Sequence, residues 1–145
     1  MEGAKRILWL DYDVDVIGIL TRPLEIAGHK VDKVATCHDA VYRLSQRPYD
    51  GMILDVILPS DLWTMEHGKE HETHYYGLDV LRYMRTDPPY RDIPVVLFSV
   101  MGERHLRPVL DGMPEVGSPP IFQKGSIMPV EFGQSVLEAI AKSTR

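Results

Sequence analysis

The stretch Gly51-Met-Ile-Leu-Asp-Val-Ile-Leu-Pro59 constrains the fold more than any other part of this chain. It is apolar on both faces, which is the pattern of a central strand in a parallel sheet covered by helices on both sides. Asp55 interrupts the run near its end, and a buried carboxylate is costly unless it is paired. The stretch therefore predicts an α/β domain with a functional charge at the end of a middle strand.

Apolar runs and amphipathic stretches alternate along the whole chain, as in α/β domains. The predicted strands are Ile7–Leu10, Val31–Ala35, Gly51–Pro59, Ile93–Val100 and Pro120–Gln123. The predicted helices are 16–26, Asp39–Gln46, Gly77–Arg85 and Pro129–Lys142, and 102–117 is expected to be irregular because Pro108 and Pro114 limit any helix. With right-handed crossovers this alternation predicts one five-stranded parallel sheet with helices on both faces.

The ends of the first helix are marked by residues that favour them. Asp13 or Asp15 is expected to cap its start, and Gly28 to end it. Pro23 lies inside the stretch and is expected to bend it, because proline removes the bond to the Ile19 carbonyl.

Length, charge and cysteine content exclude several classes of protein. The 145 residues suit a single domain, 1–145, with a polar segment at 60–76. A net charge of −5 predicts no binding to nucleic acid or to an anionic membrane surface. No apolar run reaches the roughly 18 residues that a membrane span requires. The one cysteine, Cys37, cannot form an internal disulfide, so we expect a cytoplasmic protein.

Polar side chains follow or end four of the predicted strands. Asp11 and Asp13 follow the first, Asp55 lies near the end of the third, Ser99 ends the fourth and Lys124 follows the fifth. Because open α/β sheets bind ligands at the carboxyl ends of their strands, we expect these residues to converge at one edge. Carboxylates that lie this close repel one another by a few kcal/mol at an effective dielectric of ~20.

A hard divalent cation would relieve that repulsion. Mg²⁺ takes one or two carboxylates, keeps some of its waters and binds phosphoryl oxygens. Lysine acts as a point charge for phosphate, serine donates a hydrogen bond, and an aspartate nucleophile can form an acyl phosphate. The set predicts a phosphoryl-transfer site that works by positioning and charge neutralisation.

Several motifs, in this order, resemble the receiver domain of bacterial two-component response regulators. They are Ile7-Leu-Trp-Leu-Asp11, Tyr49-Asp-Gly-Met-Ile-Leu-Asp55-Val-Ile-Leu-Pro59, Gly77-Leu-Asp-Val-Leu81, Ile93-Pro-Val-Val-Leu-Phe-Ser99 and Lys124. The resemblance covers roughly residues 5–141 and implies the flavodoxin-like sheet of order 2-1-3-4-5. It implies a signalling domain that is phosphorylated, rather than an enzyme with turnover.

The resemblance also implies roles for individual residues. Asp55 matches the phosphoacceptor, which takes a phosphoryl group from the phosphohistidine of a histidine kinase or phosphotransfer protein. Asp11 matches an acidic ligand of Mg²⁺, and the Ile57 carbonyl matches a further ligand. Ser99 matches the switch hydroxyl, and Lys124 matches the lysine that pairs with the phosphoryl group. A downstream protein target would then read the phosphorylated state.

The chain departs from the family pattern at four places. Tyr12 replaces the second of two adjacent acids, which leaves Asp13 as the substitute metal ligand. Ile121 replaces the aromatic switch residue, and Gly125 replaces the proline after the lysine. The segment 60–76 is longer than the corresponding loop of the family, so we expect it to be an insertion.

Two other functions remain open alternatives. The departures at Tyr12, Ile121 and Gly125 would suit a degenerate receiver that binds partners without phosphorylation. The Asp11-Tyr-Asp13 pattern after an apolar strand also resembles the first motif of haloacid-dehalogenase-type phosphatases, although Asp55 then has no role.

The polar segment 60–76 contains three histidines at helical spacing, His67, His71 and His74. If the segment were helical, one face would carry all three and would suit a transition metal. The alternative is a polar loop or helix extension, in which Trp63, Tyr75 and Tyr76 pack against the domain.

Overall fold

All five strands of the sheet are parallel. A computed structural model describes residues 3–13, 17–68 and 74–143 of the chain. The strands are Arg6–Leu10 (β1), Lys30–Val34 (β2), Gly51–Leu54 (β3), Val95–Ser99 (β4) and Ile121–Gln123 (β5). They pair in the order β2-β1-β3-β4-β5, which confirms the predicted five-stranded sheet and its strand order.

Helices cover both faces of this sheet. They are Gly18–Ile26 (α1), Cys37–Gln46 (α2), Leu62–His67 (α3), Tyr76–Thr86 (α4), Glu103–Asp111 (α5) and Pro129–Ser143 (α6), with a 3₁₀ turn at Pro114–Val116. None of the helices in the described ranges is long and apolar enough to cross a membrane.

The sheet separates two apolar cores. The larger core lies between the sheet and α2 to α5, and the smaller one lies against α1 and α6. In the smaller core Trp9 is fully buried, with its ring centroid 5.9 Å from that of Phe98 and 5.5 Å from that of Phe132. Trp9 is therefore a core residue. Val130, near the start of α6, is exposed.

The segment 102–117 is more regular than predicted. The helix α5 runs through Pro108, which lies in its sixth position. Proline removes only the bond to the Arg104 carbonyl, near the start of the helix, while Leu106 and Leu110 are buried in the larger core. Burial of this apolar face outweighs the local cost of the proline, so the prediction of an irregular segment was wrong.

The start of α1 also differs from the prediction. Its N-cap is Ile17, without a side-chain cap, so the predicted cap at Asp13 was wrong, and the alternative cap Asp15 lies outside the described residues. The predicted end at Gly28 is confirmed. Gly28 has φ +96°, and its N–H donates to the Glu25 carbonyl.

The first part of the polar segment 60–76 is a helix. Asp61 and Thr64 form a reciprocal capping box at the start of α3, and Trp63 is buried beside Tyr83. The helix ends at His67 because Gly68 is extended, with ψ 160°. The continuous helix that would align His67 with His74 was therefore wrong, and His71 lies outside the described residues.

Candidate functional site

The carboxyl edge of the sheet brings together the predicted acidic and basic residues. Asp11 follows β1 and is 0% exposed, and Asp55 follows β3 and is 4% exposed. The Asp55 amide donates to the Leu10 carbonyl at 2.8 Å, and the Lys124 amide donates to the Ser99 carbonyl at 2.7 Å. These backbone hydrogen bonds continue the strand pairing past the ends of the strands. They therefore fix the backbone positions of Asp55 and Lys124.

The Lys124 ammonium joins the two buried carboxylates. Its Nζ lies 3.1 Å from Oδ2 of Asp55 and 3.0 Å from Oδ2 of Asp11. It donates to Asp55 and, at 3.2 Å, to Oδ1 of Asp11. Residues 11, 55 and 124 are far apart in the chain, so their predicted convergence at one edge of the sheet is confirmed.

Burial and charge shift the pKa of two of these groups. The pKa of Asp55 is raised to about 6, chiefly by burial and next by the nearby Asp11 carboxylate, and this value already includes the partly offsetting effects of Lys124 and the Tyr12 backbone amide. Burial alone would lower the pKa of Lys124, but the Asp55 and Asp11 carboxylates outweigh burial and raise it. Lys124 is therefore a fixed positive charge, whereas Asp55 changes charge close to neutral pH.

Asp13 contacts this centre through its backbone. Its side chain is exposed, and its backbone N–H, not its carboxylate, contacts Asp11 by donating to Oδ1 at 2.9 Å. The Asp11–Asp13 pair that a dehalogenase-type phosphatase would need therefore gains no support from the geometry. The role of Asp13 as a metal ligand stays a prediction.

Ser99 ends β4 fully buried, as predicted. Its Oγ accepts a hydrogen bond from the Met101 amide at 3.1 Å, in its own loop. Since the oxygen accepts that bond, its one proton is left to donate to another group.

The side chains present can be compared with the ligands that Mg²⁺ prefers. Two carboxylates are present, and Oδ2 of Asp11 is buried without accepting a hydrogen bond, although Lys124 lies 3.0 Å away. Within the described residues no group of three or more His, Cys, Asp or Glu side chains is arranged to hold a metal. Two carboxylates, one carbonyl such as that of Ile57, and several waters are a ligand set that Mg²⁺ accepts.

Gly77 is a residue whose role in the site the sequence analysis missed. It lies in the first turn of α4, and a Cβ at this position would collide with the backbone carbonyl oxygen of Asp55. Its N–H donates to the Val56 carbonyl at 3.0 Å. A glycine at the start of a predicted helix was the available signal, because such a position suggests a close backbone approach.

We expect Gly77→Ala to destabilise the fold by about 1–3 kcal/mol, because an added methyl group must displace the Asp55 backbone. Urea unfolding measures this loss. Gly18→Ala in α1 is the matched control, since a Cβ there has open space. Equal stability of the Gly77→Ala and Gly18→Ala variants would contradict the prediction.

Several solved structures share this fold. A sensor protein from Polaromonas sp. JS666 matches with a TM-score of 0.74 and 22% identity, over 97% of this chain and 99% of that chain. The chemotaxis response regulator CheY4 of Vibrio cholerae matches with a TM-score of 0.71 and 17% identity, over 95% of this chain and 99% of that one.

A third match is the signal receiver domain of a histidine kinase from Syntrophus aciditrophicus, with a TM-score of 0.70 and 23% identity, over 98% of this chain and 94% of that domain. No family profile and no curated protein sequence matches the chain. The chain therefore has the receiver-domain fold of two-component response regulators. Because 95–98% of this chain is covered in these three matches, they give no support to the predicted long insertion at 60–76.

Proposed function

We propose that the protein is a phosphoacceptor signalling domain, which takes a phosphoryl group onto Asp55 from a phosphohistidine of a histidine kinase or phosphotransfer protein. The observation that carries this proposal is the Lys124 ammonium within 3.1 Å of two buried carboxylates. These groups lie at the carboxyl edge of a parallel sheet, which is where open α/β sheets bind their ligands. The phosphorylated state would be read by a downstream protein partner.

The chemistry assigns a step to each residue. An Asp55 oxygen attacks the phosphorus, the P–N bond to the imidazole breaks, and the leaving imidazole takes up a proton. Lys124 neutralises charge on the transferring group, and the Ser99 proton is available to a phosphoryl oxygen. Asp11, Asp55 and the Ile57 carbonyl would hold Mg²⁺, with Asp13 as the further candidate. When bound, this ion neutralises phosphoryl charge and aligns the donor.

Intact mass spectrometry after incubation with acetyl phosphate and Mg²⁺ tests the proposal. We expect the wild-type protein to gain one phosphoryl group and Asp55→Asn to gain none, because the nucleophile is lost. Asp111→Asn, an exposed position at the end of α5, is the matched control and should be phosphorylated normally.

Two other outcomes would replace the proposal. A wild-type protein that gains no adduct under any condition would be a degenerate receiver. The observation that favours this second candidate is Tyr12, which stands 59% exposed at the position of a usual metal ligand. Turnover of a phosphatase substrate that is lost in Asp11→Asn would indicate the dehalogenase-type enzyme instead.

We expect the acyl phosphate to be long-lived. The residues two positions beyond Asp55 and Ser99 are Ile57 and Met101, and neither side chain can orient a hydrolytic water. After removal of the donor, the adduct should decay over hours, as followed by intact mass. Ile57→Asn should shorten this lifetime several-fold, whereas Ile26→Asn, exposed on α1, should not. A wild-type lifetime of seconds would contradict the prediction.

A further inference from the structure

Gln123 is the last residue of β5, directly before Lys124, and its side chain reaches across to the loop between β4 and α5. Its Nε2 donates to the Val100 carbonyl at 3.1 Å. Gly102 leaves room for this contact, because a Cβ there would lie only 2.9 Å from Oε1 of Gln123. The Gln123 carboxamide therefore lies against the backbone of the loop that follows Ser99.

A single peptide unit connects Gln123 with Ser99. The Val100 carbonyl accepts from Gln123, and the N–H of the same unit, that of Met101, donates to Oγ of Ser99 at 3.1 Å. Because a peptide unit is planar, an orientation fixed at its carbonyl also fixes the direction of its N–H. Hydrogen bonds in series also polarise and strengthen one another.

The other side of Ser99 is fixed as well. Its carbonyl accepts the Lys124 amide at 2.7 Å, and its side chain is fully buried. The Met101 amide is thus a contact of the Ser99 hydroxyl, and the exposed Gln123 side chain donates to the carbonyl of the same peptide unit.

We propose that Gln123 is a positioning residue, which acts through the Val100–Met101 peptide to hold the Ser99 hydroxyl with its proton directed to a phosphoryl group on Asp55. This inference rests on the proposed function and adds to it a residue that the resemblance does not assign. The side chain that precedes Lys124, at the end of β5, would thus help to set the orientation of the Ser99 hydroxyl.

A double-mutant cycle with Ser99→Ala tests the inference. Gln123→Met keeps the length of the side chain and removes the donor. We expect it to lower the initial rate of phosphorylation by acetyl phosphate about 2–10-fold, the effect of one neutral hydrogen bond. Gln123→Glu, which also lacks the donor, should lower the rate similarly. In the Ser99→Ala background, Gln123→Met should have no further effect. An equal factor in both backgrounds, or no effect in either, would overturn the proposal.

A second readout does not depend on phosphorylation. Amide hydrogen exchange at Met101 should accelerate in Gln123→Met and in Gly102→Ala, which displaces the Gln123 carboxamide. The matched control is Gln46→Met, because Gln46 donates to its neighbour Ser45 on the exposed surface of α2. If wild-type protein gains no phosphoryl group, the proposed function fails on its own, and Met101 exchange still decides whether Gln123 holds the peptide. Unchanged exchange overturns the inference.

Discussion

Asp55→Asn should be more stable than the wild-type protein at pH 7.5, by about 2 kcal/mol in the free energy of unfolding. The pKa of Asp55 is about 6 in the folded protein against the usual 3.8, chiefly because the side chain is buried and next because Asp11 lies close. A raised carboxyl pKa means that the ionised form is less favourable in the folded state than in the unfolded chain. The substitution removes this cost.

The pH dependence of unfolding shows whether the raised pKa of Asp55 causes the stability gain of Asp55→Asn. Between about pH 4 and 6 the folded protein holds a proton on Asp55 that the unfolded chain has lost, so the Asp55 contribution to stability decreases as the pH rises. Urea unfolding at pH 4.5 and 7.5 should therefore show a gain for Asp55→Asn at pH 7.5 that largely disappears at pH 4.5. Asp111→Asn should change little at either pH. A neutral or destabilising effect of Asp55→Asn at pH 7.5 would contradict the prediction that the ionised Asp55 carboxylate is unfavourable in the folded protein.

Lys124→Met should destabilise the protein, with a loss of about 2–4 kcal/mol in the free energy of unfolding at pH 7.5. This effect is opposite in sign to that of Asp55→Asn and larger. The substitution leaves the Asp11 and Asp55 carboxylates buried beside each other without their shared cation. Removing one partner of a buried ion pair costs more than the pair itself contributes, because an uncompensated charge remains. The loss should be smaller at pH 4.5, where Asp55 is protonated. Urea unfolding at both pH values measures the two losses.

The double substitution separates charge from packing. Asp55→Asn in the Lys124→Met background should recover much of the lost stability, because one of the two unpaired charges disappears. Lys142→Met, on the exposed end of α6, is the matched control for loss of a lysine and should be nearly neutral. If Lys124→Met is also nearly neutral, Lys124 does not neutralise the two carboxylates.

The parts of the site that depend on sheet topology could be predicted from the sequence. Asp11, Asp55 and Lys124 each follow an apolar run, and parallel strands bring their carboxyl ends to one edge, so convergence follows from the pattern of runs alone. The buried position of Ser99 follows in the same way, because it ends a strand that is apolar throughout.

The parts that depend on tertiary packing could not be predicted. Pro108 argues locally against α5, and only the burial of Leu106 and Leu110 explains why the helix persists. The contact of Gly77 with the Asp55 backbone and the hydrogen bond from Gln123 to Val100 both join distant segments. The glycine at the start of a helix signals a close backbone approach but does not identify its partner, and no local pattern indicates the Gln123 contact. Asp13 was assigned as a metal ligand by its nearness to Asp11 in sequence; its side chain is exposed, and that role stays a prediction.

The shortness of β5 bears on how this molecule fluctuates. The strand has three residues and pairs only with β4, yet the ammonium that compensates the two acids is attached directly after it. Fraying of this short edge strand would withdraw the cation while the acids stay in place on the inner strands. Local unfolding of β5 would therefore change the proton affinity of the two carboxyl groups without global unfolding of the domain.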